Sequence, residues 1–489
     1  MLPLPPRSLT DSRLDTMQFE ADPLADATVA TIFGPWADAA EGATEQQWQR
    51  IAAVNECFAQ WTDNARLQTW APDTIAGDAN LAMALRQYVR LAQVLPAWAE
   101  PRKIERAERV FMEHGALSCI LLFCASLPEC YVLPDLSAVL HTAGQLEAHT
   151  EYRIRSTAAM IFPVMMQGGL TRPEGAGLAQ ILKVRLIHAT IRHLILRGTP
   201  QDKVREWRAG GALPSAGLVA ALPLQAHRKP SMYEVLQARG WDLSAHALPC
   251  NQEELAYTLL TFHYVFLRGL RRLGIGLSAA DEEAYLHAWN VVGHVLGIQS
   301  ELMAHSMEQA ESLFGQMQTR GRAAPVNPDP RPSLGAALMH TMAQSLPWPA
   351  IRPWPVLLTR FLCGPATARD LQLQVHASWL SRIGFWTVMG LARIIDAFVR
   401  CVSPQFSITR SMTRVLGYHF MSRVLLSQTR PLQLPDALLH QVDRVVHGWS
   451  DDLHAPDWLN RLEDRLTTDG TWSHGLGTSS AAQARNPTP

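Results

Sequence analysis

Two stretches carry residue types that could do chemistry together. Arg153 and Thr157 lie in Tyr152-Arg153-Ile154-Arg155-Ser156-Thr157, and Arg185, His188 and Arg192 lie in the run Lys183 to His193. At about 100° per residue, Arg153 and Thr157 share one face of a helix, and Arg185, His188 and Arg192 follow one stripe of a second. Val184, Ile187, Ile191 and Ile195 surround the position of His188, so its imidazole is expected to point into an apolar interior. A buried neutral imidazole is a usual ligand of haem iron, its other nitrogen anchored by an acceptor. The forks of Arg185 and Arg192 suit carboxylates such as haem propionates. If Arg153 and Thr157 face the same cavity, a guanidinium and a hydroxyl could steady negative charge developing on an oxygen bound there. The competing reading is plainer: a core histidine bonded to a backbone carbonyl, an exposed arginine and an ordinary helical threonine. The two helices alone leave both readings open.

A further candidate is Glu283, His287 and His294, spaced four and seven apart on one helical face. They could supply part of a non-haem metal site, although the tight His-x-x-x-His or Glu-x-x-His spacing of helical metal sites is missing. No Gly-x-Gly-x-x-Gly, P-loop, Gly-x-Ser-x-Gly or His-Glu-x-x-His occurs, so nucleotide-binding, serine-hydrolase and zincin readings lack their motifs.

The elements that must position these residues read as all-α: a large helical domain with additional flanking helices, and no convincing strand alternation. Residues 1–75 form a lead-in, Pro-rich and loose to about residue 25, then short capping helices marked by Trp36, Ile51, Val54, Phe58 and Trp61. Residues 76–320 form the main domain. Asp78 opens a helix with Leu81, Leu85, Tyr88 and Leu91 on one face. A second runs from Glu105 into the apolar Leu117–Ala125 and stops at Ser126-Leu127-Pro128, because the residue before proline is pushed out of helical geometry. Gly168-Gly169, Pro173 and Gly175 make the loop between the two chemistry-bearing helices, and an irregular segment runs from Pro200 through Gly210-Gly211 to Pro230. Asn251 starts a long helix that ends at Gly274, and Ser278 with Asp281 forms a capping box for the next. Residues 321–333, with the alternating prolines Pro325 to Pro332, are a linker; 334–466 are a C-terminal helical part; 467–489 are a disordered tail.

Composition narrows the function classes. A hydrophobic share of 47% with 18% charged residues marks a globular chain, and a formal net charge of -1 gives no electrostatic footprint for nucleic acid. Seven scattered cysteines make no disulfide framework and are expected as buried free thiols. No apolar run reaches 18 uninterrupted residues; Ile383 to Val399 carries Arg393 and Asp396 and is expected as a buried amphipathic helix, with contact to a membrane surface left open. The first residues show no basic region followed by an apolar run, so a cytoplasmic location is the expectation.

The same residues, taken in order, resemble a known family. Arg153-x-x-x-Thr157, Val184-Arg185-Leu186-Ile187-His188-Ala189-Thr190-Ile191-Arg192, and Pro249-Cys250-Asn251-Gln252-Glu253-Glu254 running to Phe262 are similar to the catalytic domain of latex clearing proteins and MpaB-type oxygenases. Gly269 to Ile275, Glu283 to Ile298, and Leu127-Pro128-Glu129-Cys130-Tyr131 fit as well. The resemblance implies a globin-like helical core binding haem b, with His188 as the proximal iron ligand and Arg153 and Thr157 on the distal side. It implies an oxygenase using dioxygen on a hydrophobic small molecule, isoprenoid or lipid-like. Glu147 is the nearest counterpart of the family's distal carboxylate, and Ser156 stands where some members have a lysine able to cap the iron. The alternative is a haem-binding or scaffold protein on the same fold that performs no turnover.

Overall fold

The computed structural model describes residues 9–34, 45–134, 136, 138–139, 150–197, 241, 243–324, 329–346, 348–373 and 378–399. Trp36, Glu147, the segment from Pro200 to Pro230, linker residues 325–328 and the tail from Thr467 lie outside them. The described residues fold as α-helices joined by short turns, as the sequence predicts; extended pairing is confined to an isolated bridge between Ile75 and Asp78.

Residues 9–25 depart from expectation. Helix α1 (Asp11–Met17) starts on Thr10, whose side chain accepts from the N–H of Arg13. Helix α2 (Pro23–Phe33) starts on Asp22, which accepts from Ala25, with Pro23 in the first turn where its missing N–H leaves nothing unsatisfied. Leu14, Met17, Ala25 and Val29 are fully buried, so this segment belongs to the core rather than to a loose lead-in. Helices α3 (Glu45–Gln60), α4 (Asn64–Thr69) and α5 (Ala79–Ala92) follow. Asp78 caps α5 as expected, and Leu81, Leu85 and Tyr88 are buried, but Leu91 faces outward.

Helix α6 (Pro101–Leu121) bends at Gly115, whose backbone is non-helical at φ 41°, ψ -114°. The stop expected before Pro128 does not occur. A π-turn over Leu122–Ser126 widens the helix, and Pro128 then enters as a first-turn residue of the short α7 (Leu127–Cys130). Glu129 of α7 is a buried hub: Arg268 donates to Oε1 at 2.6 Å, and Gln318 and Thr367 donate to Oε2 at 2.7 and 2.9 Å.

Helices α8 (Thr150–Met165) and α9 (Gly177–Arg197), the predicted pair, pack together across a short connection. That connection is stapled from outside. The Asn64 side chain donates to the carbonyls of Gly169 (2.9 Å) and Arg172 (2.8 Å) and accepts from Leu178 N–H (3.2 Å). Glu108 of α6 accepts from Gly168 N–H at 2.9 Å. Gly169 must be a glycine, since a Cβ there would lie 2.1 Å from the carbonyl oxygen of Pro163.

After α10 (Leu243–His246), the long α11 (Gln252–Leu273) runs through the core, capped by Asn251 and closed by Gly274 at φ +81°. Helix α12 (Ala279–Val295) opens on the predicted Ser278–Asp281 capping box. Phe262 stacks on Trp289 and Phe266 on Tyr285, with centroids 5.4 and 4.7 Å apart, joining α11 to α12. Helix α13 (Met307–Ala323) adds Gln318 and Arg322; α14 (Arg331–Gln344), α15 (Trp354–Cys363) and α16 (Pro365–Asp370) pack back onto the domain, with Cys363 against the π-turn. Helix α17 (Trp379–Val399) is not the buried helix its composition suggests: Phe385 is buried, but Trp379, Leu380, Ile383, Trp386, Leu391 and Ile394 face outward. Among the described residues no single helix is long and apolar enough to cross a membrane. The described cysteines are free and buried, as expected.

Glu108 gives this architecture a pH signature. Burial, reinforced by Glu105 and opposed by the Gly168 N–H, raises its carboxyl pKa to about 7, and its Oε1 is enclosed without a partner. The folded pKa lies above the unfolded one, so the native state favours the protonated form; the favourable contribution is complete below about pH 4.5 and is lost as pH rises through about 7. Glu108→Gln should therefore flatten the fall in stability across that window and gain on the order of 3 kcal/mol at pH 8 as an upper bound. Denaturant unfolding at pH 5 and pH 8 measures it; equal effects at both pH values would contradict the assignment.

Candidate functional site

Helix α9 carries the candidate ligand, and two buried ion pairs fix its position. Arg185 makes a bidentate pair with Asp22, Nε to Oδ2 at 2.5 Å and Nη2 to Oδ1 at 2.8 Å, and donates from Nη1 to the Val295 carbonyl at 2.9 Å. Against its burial, Asp22 holds the guanidinium pKa up. Arg192, fully enclosed, donates to Asp26 at 2.8 Å and to the carbonyls of Pro249 and Cys250 at 3.1 and 3.0 Å. Asp26 is also approached by His193 Nε2 at 3.5 Å. Against the burial that would raise it, His193 and Arg192 hold the Asp26 carboxyl below its ordinary pKa.

The sequence reading gave Arg185 and Arg192 to haem propionates, and the structure corrects this. Both forks are occupied by carboxylates and carbonyls of the protein, and their role is to clamp α9 to α2, α12 and the turn before α11. Gly297, at φ +86°, lets the chain pass over the first pair; a Cβ there would sit 2.7 Å from Asp22 Oδ2 and 2.8 Å from Arg185 Nη2.

His188 is left free of this network. It is half-buried, and its Nδ1 is enclosed with no hydrogen-bond partner. Burial, aided by the Arg192 guanidinium, lowers its pKa to about 4, so the ring is neutral at pH 7 and can offer a nitrogen lone pair. The backbone-carbonyl partner of the plainer reading is not present at Nδ1. A neutral, unsatisfied imidazole is the donor a haem iron takes, so the residue fits that cofactor.

Helices α8 and α9 form a hairpin, which sets the level of the remaining candidates. His188 lies eleven residues past Gly177, and Arg153 twelve before Met165. At 1.5 Å per residue both are about 17 Å from the connection, with Thr157 one turn nearer to it. The hairpin thus puts Arg153, Thr157 and His188 at similar levels along the two helices. Thr157 is half-buried. The side chains of Arg153 and Ser156 lie outside the described set, as does Glu147.

The alternative non-haem face does not assemble. Glu283 pairs with Lys103 at 2.8 Å, and His287 Nε2 accepts from the Glu100 N–H at 2.9 Å. Trp98 stands edge-on to both His287 and His294. Among the described residues no group of three or more His, Cys, Asp or Glu side chains could hold a metal ion.

Sequence reasoning missed Asp22, Asp26, Asn64 and Glu108. The Asp22-Pro23 pair is a helix-start signal that was available. Nothing local marks Asn64 or Glu108, whose partners Gly169 and Gly168 lie 105 and 60 residues further along the chain.

Residues 109–394 match the sequence family described as ER-bound oxygenase mpaB/B'/Rubber oxygenase, catalytic domain. A rubber oxygenase of Streptomyces sp. (strain K30) is 24% identical over 270 residues, 55% of this chain and 54% of the relative. The chain thus spans about half the length of that curated relative. A solved structure of latex clearing protein LCP in the closed state superposes with a TM-score of 0.53 at 17% identity, covering 88% of this chain and 90% of that one, which shows a shared fold.

The buried pairs predict a stability effect. Asp22→Ala leaves Arg185 charged and unpaired, and should destabilise the protein by about 3–5 kcal/mol. Chemical denaturation measures this; a loss below about 1 kcal/mol, the scale of an exposed pair, would show that the pair is not a clamp.

Proposed function

The chain belongs to the MpaB and rubber-oxygenase catalytic-domain family, and from that premise we propose that it is a haem b-dependent oxygenase acting with dioxygen on a hydrophobic, isoprenoid or lipid-like small molecule. The observation that carries the haem reading is His188: a neutral imidazole with an unsatisfied enclosed nitrogen, on a helix held rigidly by two buried ion pairs. When bound, the haem would supply the iron chemistry that activates dioxygen.

The chain's own residues would do the rest. His188 would hold the iron through a ring kept neutral by burial. Arg185 and Arg192 would act at one remove, fixing the helix so that the imidazole keeps its direction without spending rotational freedom at each binding event. Arg153 and Thr157 would offer a guanidinium and a hydroxyl from the neighbouring helix as hydrogen-bond donors to dioxygen. The Glu147 carboxylate is the candidate to take a proton on that side. Val184 and Ile191, packed beside the His188 position, would keep water from the site and favour an apolar substrate.

The test is direct. Protein purified from haem-replete cells should show a Soret band, and His188→Ala should lose at least tenfold of the haem while keeping its helical circular dichroism. With polyisoprenoid or terpenoid alkenes the haem-loaded protein should consume oxygen and release carbonyl products. A protein with no Soret band would overturn the cofactor; a normal Soret band with no oxygen uptake on any such alkene would leave a haem binder in place of an oxygenase.

A further inference from the structure

The apolar side chains that α17 turns outward fall on one side of that helix. Counted from Trp379 at about 100° per residue, Leu380, Ile383, Trp386, Leu391 and Ile394 keep within an arc of roughly 140°. All six are more than half exposed. Gly390 lies near the middle of the arc, and among the described residues nothing comes within 4 Å of where its Cβ would stand. The other side of the helix is packed: Phe385 is buried edge-on to Trp354 at 5.7 Å, and Met389 rests against the core. An amphipathic surface helix puts its apolar stripe inward, so a second apolar arc facing outward marks an interaction surface.

Charge identifies the partner. From Trp379 to Arg430 the sequence holds seven arginines, no lysine, no glutamate and a single aspartate, Asp396. This stretch is thus strongly basic in a chain whose formal net charge is -1, which leaves the remainder acidic. On α17 the register puts Arg382 and Arg393 along one border of the apolar arc, next to Trp386, and Arg382 is exposed. Residues 397–435, which follow Asp396, contain no acid, so they add to the positive charge of α17 and do not neutralise it. A second copy of the helix set against this face would bring like charges together.

We propose that the outward face of α17 docks on an anionic lipid surface. The helix lies along the bilayer plane, with the arc from Trp379 to Ile394, about 22 Å long, dipping into the headgroup boundary. Trp379 and Trp386 sit where an indole has an apolar body and a polar edge to satisfy, and Arg382 and Arg393 reach lipid phosphates while their stems cover apolar surface. The arginines supply long-range attraction and the arc supplies insertion, so neither alone suffices. This docking goes beyond the proposed oxygenase chemistry and stands apart from it, because it involves neither His188 nor haem.

Flotation of the purified full chain with vesicles tests the assignment. With about 30 mol% phosphatidylserine in phosphatidylcholine the bound fraction should exceed that on phosphatidylcholine alone by about tenfold, and salt at about 0.5 M should remove most of the difference. Ile383→Glu, at an exposed position, should keep the wild-type circular dichroism and cut binding about tenfold. Arg382→Ser combined with Arg393→Ser should weaken binding to the anionic vesicles by about tenfold and leave the phosphatidylcholine value unchanged. Binding to neither vesicle, equal binding to both, or wild-type binding in either variant would overturn the proposal. So would a dimer in sedimentation that Ile383→Glu converts to monomer, since the face would then belong to a second copy.

Discussion

Two buried ion pairs, Asp22 with Arg185 and Asp26 with Arg192, are the constraint on which the rest of this structure depends. A buried guanidinium without its carboxylate is strongly unfavourable, so the pairs tie the start of the chain to the middle of the core. They set the position and rotation of α9. Once α9 is set, the side chains it carries are sorted by angle around one helix. Arg185 and Arg192 enter the clamp, His188 lies between them on the same stripe, and Ile187 and Ile191 face α2 and α3.

The hairpin supplies the second dimension. Asn64 and Glu108 hold the connection between α8 and α9 from two directions, each through backbone groups of the connection. The levels of Arg153, Thr157 and His188 along the two helices follow from where that connection is pinned. Glu129 does similar work further off, gathering Arg268, Gln318 and Thr367 so that helices beyond the proline-rich segment close over the core. The family match, which runs through that segment to residue 394, is consistent with this packing.

Much of this was legible in the sequence. Helix starts at Asp78, Asn251 and Ser278 and the stop at Gly274 were readable because capping is local: the side chain and the backbone group it satisfies lie within one turn. The paired helices α8 and α9 were readable from period and from the glycines between them. What stayed hidden is non-local. Asp22 looked like one charge in a Pro-rich lead-in, and only the tertiary fold shows that Arg185 needs it. The same blindness assigned Arg185 and Arg192 to propionates, because spacing reveals a face but not what already occupies it. The π-turn before Pro128 and the outward face of α17 were missed for a related reason: composition reports apolarity, not which neighbour covers it.

The measurement that bears most directly on His188 is chemical rescue of its missing ring. His188→Gly, isolated without haem and titrated with hemin, should give a weak, broad spectrum that added imidazole restores towards the wild-type Soret band, because the clamp of Arg185 and Arg192 keeps α9 in place. A glycine variant that binds hemin with the full wild-type spectrum and no response to imidazole would place the iron ligand elsewhere and contradict the assignment.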